Sequence, residues 1–175
     1  FEDGNGLTLS HVCRSMGHKA VWSEEESLKI ERIFLVDDDP NIRRIAEISL
    51  KKLGPWQVDL AGSGREVLAM LEQSKPDLLI LDVMMPEMDG PTTFQMVKER
   101  FPDFKQPVIF MTAKVMSHEV DEYLVLGAAG VICKPFNPKD LADDVRKICD
   151  RWEASNASSD SPTELSADIL VSSGD

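Results

Sequence analysis

Asp37, Asp38, Asp82, Thr112 and Lys134 each follow a short apolar run, and as a set they are equipped to handle a phosphoryl group. Ile33-Phe34-Leu35-Val36 leads into Asp37-Asp38-Asp39, and Leu78-Leu79-Ile80-Leu81 leads into Asp82. Val108-Ile109-Phe110-Met111 leads into Thr112, and Val131-Ile132-Cys133 leads into Lys134-Pro135. Carboxylates at close range raise one another's pKa and stay ionised together only when a cation joins them. An all-oxygen donor set suits Mg²⁺, which needs few protein ligands and keeps its waters and a phosphate oxygen. An ionised Asp is also a competent phosphoryl acceptor, forming an acyl phosphate. A hydroxyl and an ammonium beside it supply the positioning and charge stabilisation on which phosphoryl transfer mostly depends. Any one of these acids alone reads as a strand end or a helix cap; the whole set does not.

Elements that would bring these residues together are legible around them. Apolar runs of four, bounded by Pro, Gly and charge, read as strands buried on both faces of a parallel sheet. Residues 31–152 alternate strand and helix five times, which predicts an α/β fold with a doubly wound five-stranded parallel sheet and five helices. Ligands bind outside the carboxyl ends of such strands, so one rim collects the carboxylates, the hydroxyl and the ammonium. The first helix is expected to start near Pro40 or Asn41 and to stop at Gly54-Pro55, with Ile42, Ile45, Ala46 and Leu53 facing inward. Trp56 to Leu60 reads as the second strand. Ser63 caps a second helix that buries Val67, Leu68 and Leu71. Asp89-Gly90-Pro91 opens a third helix reaching about Phe101. Ser117 to Leu126 reads as the fourth, ended by Gly127, and Pro138 to Trp152 as the fifth.

The pieces Phe34-Leu-Val-Asp-Asp-Asp-Pro40, Asp77-Leu-Leu-Ile-Leu-Asp-Val-Met-Met-Pro-Glu-Met-Asp-Gly90, Met111-Thr-Ala113 and Lys134-Pro-Phe136, in that order and spacing, resemble a receiver domain of the two-component response-regulator family, with its flavodoxin-like fold. The resemblance covers about residues 31–152. It implies that Asp82 is the phosphoacceptor and that Asp37 and Asp38 hold Mg²⁺, Asp38 directly and Asp37 through water. The backbone carbonyl of Met84 would be a further ligand. Thr112 would hydrogen-bond a phosphoryl oxygen and Lys134 would pair with it. A cis peptide is implied between Lys134 and Pro135. The implied donor is a sensor histidine kinase or a histidine phosphotransfer protein. The domain would catalyse only its own phosphorylation and dephosphorylation, and phosphorylation-dependent self-association is a further implication. Asp39 reads instead as a helix-start residue favoured by the helix dipole. Partner choice is expected on the outer face of the first helix, where Arg43, Arg44 and Glu47 stand; the same residues also read as an ordinary solvated face.

Three positions depart from common choices in the family and imply a long-lived phosphoryl group and a modified switch. Met84 offers a thioether where rapidly hydrolysing relatives often carry a polar residue, and a thioether cannot orient an attacking water. Lys114, two residues after Thr112, would shield the phosphoryl group. Val131 replaces an aromatic ring that reports on the site elsewhere in the family, and it equally reads as simple strand packing.

Length and charge bound the rest. The 175 residues suit one domain, residues 31–152, between an extension over 1–30 and an acidic Ser-rich tail over 153–175. Net charge is −12, divided as −2, −5 and −5 over those three segments, and no clustered Lys or Arg invites nucleic acid directly. No apolar stretch approaches a membrane span. Cys13, Cys133 and Cys149 are widely spaced, which reads as reduced thiols in the cytoplasm, with Cys133 a core strand residue. A short helix is expected over residues 7–17, from the spacing of Leu9, Val12, Cys13 and Met16. His11, Cys13 and His18 fit no standard zinc spacing. The flanks are too short for a winged helix, so output by protein contact or onward transfer is expected. Alternatives are a receiver cut from a larger hybrid sensor kinase or effector, or a pseudo-receiver that only binds. A haloacid-dehalogenase-type phosphatase would need a second Asp two residues after its nucleophile, and that place is Met84.

Overall fold

The computed structural model describes residues 29–113 and 117–157. The chain order is β1 (Arg32–Val36), α1 (Pro40–Leu53), β2 (Gln57–Ala61), α2 (Gly64–Gln73), β3 (Leu78–Asp82), α3 (Gly90–Arg100), β4 (Val108–Thr112), α4 (Ser117–Val125), β5 (Gly130–Cys133) and α5 (Leu141–Ala157). The strands form one sheet in the order β2-β1-β3-β4-β5, and every pairing is parallel. This is the doubly wound α/β fold that the apolar runs predict.

Alternation along the strands sorts the core onto two faces. Ile33, Leu35, Leu78, Ile80, Ile109 and Met111 pack under α1 and α5 with Ala46, Leu50, Leu141 and Val145. Phe34, Val36, Leu79, Leu81, Val108 and Phe110 pack under α2, α3 and α4 with Val67, Leu68, Phe94, Val97 and Tyr123. β3 and β4 are buried at every residue, whereas the edge strand β5 buries only Ile132 fully. Cys133 is accordingly half-buried rather than a core residue.

Several element boundaries differ from the sequence expectation. In α1 the buried stripe is Ala46, Ser49 and Leu50 with Ile42 against it, while Ile45 and Leu53 are 46% and 47% exposed. Leu50 is the last residue that α1 buries, and Leu53 stands at the helix end before the Gly54 cap. Ile45 lies on the flank of the stripe. The strand β2 starts one residue later than expected. Trp56 instead packs its ring against Gly54, where a Cβ would come within 2.2 Å of it, and under the Arg146 guanidinium at 5.2 Å. The helix α5 begins at Leu141 because Asn137 holds a preceding turn, its side chain accepting from the Lys139 N–H at 3.0 Å and donating to Asp140 at 2.7 Å. It continues to Ala157, past Trp152, because Glu153-Ala154-Ser155-Asn156 contains no helix breaker. The expected helix over 7–17, the residues His11, Cys13 and His18, the Lys114 side chain and the tail beyond Ala157 lie outside the described residues.

Candidate functional site

Strand order reverses between β1 and β3, because the chain leaves β1 toward β2 on one side and returns to β3 on the other. A crevice opens at the carboxyl ends of two strands at such a point. Asp37 directly follows β1, and Asp82 is the last residue of β3. Thr112 ends β4 next to Cys133 in register, and Lys134 follows β5. All five residues of the predicted set therefore share one rim.

Asp37 and Asp82 are almost fully buried, Thr112 is 1% exposed, and Asp38 is exposed. One carboxylate oxygen from each of Asp37, Asp38 and Asp82 falls within 4.8 Å of the others. The Lys134 ammonium bridges two of these acids, at 2.5 Å from Asp37 Oδ2 and 2.7 Å from Asp82 Oδ1. Burial works against the Lys134 charge, but the two carboxylates outweigh it and hold the ammonium above the usual lysine range. At Asp82, burial is the dominant influence and pushes the carboxyl above the ordinary range, against the downward pull of Lys134. The neighbouring Asp37 charge pushes the same way as burial, and the Met84 backbone N–H stabilises the ion. Lys134 is thus the internal countercharge to a rim with three acids.

The supporting loops are built from short side-chain and backbone contacts. Asp37 Oδ1 accepts the Asp39 N–H at 2.9 Å. Asp39 turns away from the acids and caps α1, accepting from the N–H groups of Asn41 and Ile42 at 2.8 and 3.4 Å. It stands outside the cluster, in keeping with its reading as a helix-start residue. Behind Asp82, a Cβ on Gly90 would lie 2.4 Å from the Asp82 carbonyl oxygen and 3.0 Å from Val83 Cα. Glycine therefore lets α3 start against the end of β3, with its N–H donating to the Val83 carbonyl at 3.0 Å. Asp89 caps that helix through the Thr92 N–H at 2.8 Å. The Lys134-Pro135 peptide is cis, and the Lys134 N–H donates to the Thr112 carbonyl at 2.7 Å.

Other predicted residues fall differently. Met84, two residues after Asp82, is 60% exposed. Val131 packs against the core face under α2, α3 and α4. Arg43 is turned back to donate to the Asp37 backbone carbonyl, so it does not stand with Arg44 on the outer face of α1. Arg44 is exposed and pairs with Glu47 at 2.7 Å, and Glu47 also takes Lys51 at 2.7 Å. The inward turn of Arg43 had one sequence signal: a cation just inside a helix start with no acid in its first turn, where the helix dipole opposes it.

The donor set fits a small hard cation. Its ligand atoms are all carboxylate oxygens, and Asp37 Oδ2 is buried with only an ion-pair contact and no hydrogen bond. Such an oxygen has lone pairs open to a metal.

Comparison with known proteins agrees with this geometry. The family model described as response regulator receiver domain matches residues 33–146. The response regulator Rre1 of Synechocystis sp. is 34% identical over 124 residues, covering 71% of this chain and 54% of that protein. The alkaline phosphatase synthesis transcriptional regulatory protein PhoP of Bacillus subtilis is 32% identical over 142 residues, covering 81% and 58%. The chain spans about half the length of the curated relatives it matches. Among solved structures, the chemotaxis response regulator CheY4 of Vibrio cholerae aligns with a TM-score of 0.63 at 29% identity, covering 69% of this chain and 99% of that one. The response regulator TrrA of Thermotoga maritima, solved in complex with Mg²⁺-BeF, aligns with a TM-score of 0.57 at 31% identity, covering 68% and 99%.

Proposed function

This chain belongs to the response regulator receiver family, and we propose that it takes a phosphoryl group from a phosphohistidine onto Asp82. The observation that carries this reading is the Lys134 ammonium bridging Asp37 and Asp82 while Asp38 completes the acidic set. An Asp82 carboxylate oxygen attacks phosphorus, the P–O bond forms and the P–N bond to the donor imidazole breaks. Lys134, already at Asp82, pairs with a phosphoryl oxygen, and the Thr112 hydroxyl donates to another. Mg²⁺ held by Asp37, Asp38 and Asp82, with the Met84 carbonyl as a further ligand, would supply neutralisation of the negative charge that gathers at the rim. A binding-only module would not need this full set, which favours the phosphoacceptor.

The donor is a sensor histidine kinase or a histidine phosphotransfer protein, met on the outer face of α1. Ile45 and Ile48 are exposed there, and Arg44 stands beside them. Phosphorylation-dependent self-association is part of the same proposal, as is a cytoplasmic setting. No described helix is long and apolar enough to cross a membrane. A second reading is a receiver module within a longer effector or hybrid kinase. It is favoured by relatives, some named as transcriptional regulators, of which this chain spans about half.

Incubation with Mg²⁺ and a small phosphodonor tests the reading. One acid-stable, base-labile phosphoryl group should appear on the wild type and be absent from Asp82→Asn. Equal labelling of the variant overturns the assignment. Because the exposed Met84 thioether cannot orient water, the label should persist well beyond seconds and decay several-fold faster in Met84→Asn.

A further inference from the structure

We infer that Arg43 is a positioning residue for the metal-binding acids, acting through the peptide group between Asp37 and Asp38. This inference rests on the reading that those acids bind Mg²⁺. Asp38 is the one exposed acid of the three, so packing does not set its aim. What sets it is the backbone from which it leaves. A peptide group is a rigid plane, and fixing its oxygen fixes the direction of the next residue. The Arg43 guanidinium donates from Nη1 to the Asp37 carbonyl, the oxygen of that plane. From the other side, the Asp37 N–H is held by the Ala61 carbonyl at 3.2 Å, and Asp37 Oδ1 takes the Asp39 N–H at 2.9 Å. The turn carrying Asp37 and Asp38 is thus pinned at Asp37 N, O and Oδ1, besides the Lys134 ion pair at Oδ2, and Arg43 supplies the side-chain donor to its backbone.

The guanidinium is itself seated. A Cβ on Gly62 would lie 3.3 Å from Arg43 Nη1 and 3.5 Å from Glu66 Oε2, so the β2–α2 loop closes directly against it. That loop is held in place by the Gly62 N–H donating to Glu66 Oε2 at 2.6 Å. A cation near a helix N-terminus gains nothing from the helix dipole. The first turn of α1 carries no acidic residue to offset it. The Asp37 carbonyl and the close approach of the β2–α2 loop at Gly62 account for the placement of Arg43; the helix does not.

Calorimetric titration of the whole chain with Mg²⁺ decides the matter, because two effects of Arg43→Ala carry opposite signs. Loss of a nearby cation alone would tighten Mg²⁺ binding by removing repulsion. Loss of positioning weakens it, on the order of tenfold for one charge-assisted hydrogen bond. The expected result is weaker binding in Arg43→Ala, substantial recovery in Arg43→Lys, and thermal midpoints in EDTA that do not follow the same order. Arg43→Gln, which removes the charge and is too short to reach back to Asp37, carries the same expectation should the alanine variant fail to fold. Affinity unchanged within twofold, or tightened, overturns the inference while leaving the metal reading intact. A wild type that binds no Mg²⁺ overturns both.

Discussion

Asp82 lies under opposing influences, and their balance makes a testable difference to stability. Its carboxyl is held above the ordinary carboxylate range, first by burial, against the pull of Lys134. Between the ordinary value of 3.8 and its raised value, the folded state binds more protons than the unfolded one. Stability contributed by this group therefore falls as pH rises through that window, and its charge is a standing cost above it. In EDTA at neutral pH, Asp82→Asn should melt a few degrees above the wild type, with the gap closing as pH falls toward 3.8. Saturating Mg²⁺ should narrow or reverse the gap, because only the wild type keeps the full acid set. Differential scanning fluorimetry checks both, and an asparagine variant that melts lower in EDTA refutes the argument. Residues such as Asp82, Thr112 and Lys134 were legible because a strand end fixes where the next side chain goes. The inward turn of Arg43 was not legible in the same way. A long side chain chooses its direction from neighbours such as Gly62 that only the folded chain brings near.

Helix α1 shows how an element can be read correctly in kind and only partly in phase. Proline at the first helical position, Asp39 as the cap and Gly54 at the end mark its bounds in the sequence, and the structure follows them. The buried stripe is set by which turns actually overlie β1 and β2. Leu50 is fully buried against the sheet, while Ile45 is 46% exposed. Truncation should separate them: Leu50→Ala is expected to cost about 2–5 kcal/mol. Ile45→Ala should cost within about 1 kcal/mol, as is usual near a surface. Urea unfolding of the two variants measures this, and equal losses would show that the α1 stripe is misassigned. The runs in β3 and β4 were easier to read. A strand buried on both faces is apolar at nearly every position, so no phase has to be chosen.

At the scale of the whole molecule, topology and charge point the same way. The 2-1-3-4-5 order places Asp37 and Asp82 side by side across the β1–β3 pair, and Lys134 reaches them from beyond β4. The five strand–helix alternations implied a parallel sheet joined by crossovers, and the structure supplies the order of its strands. The chain carries a net charge of −12. Affinity for duplex DNA comes largely from Lys and Arg that displace counterions from phosphates, so an acidic chain without a basic stripe has little to offer it. Relatives named as transcriptional regulators share about half their length with this chain, whose residues 33–146 match the receiver family model. This chain alone should therefore leave the anisotropy of a labelled duplex unchanged at micromolar protein, even in low salt where electrostatic binding is strongest. Phosphorylation adds negative charge to the rim and should not alter that result. Nanomolar binding that weakens steeply with added salt would overturn the prediction, and would mean that the few cations of α1 and α5 form a phosphate-reading face despite the net charge.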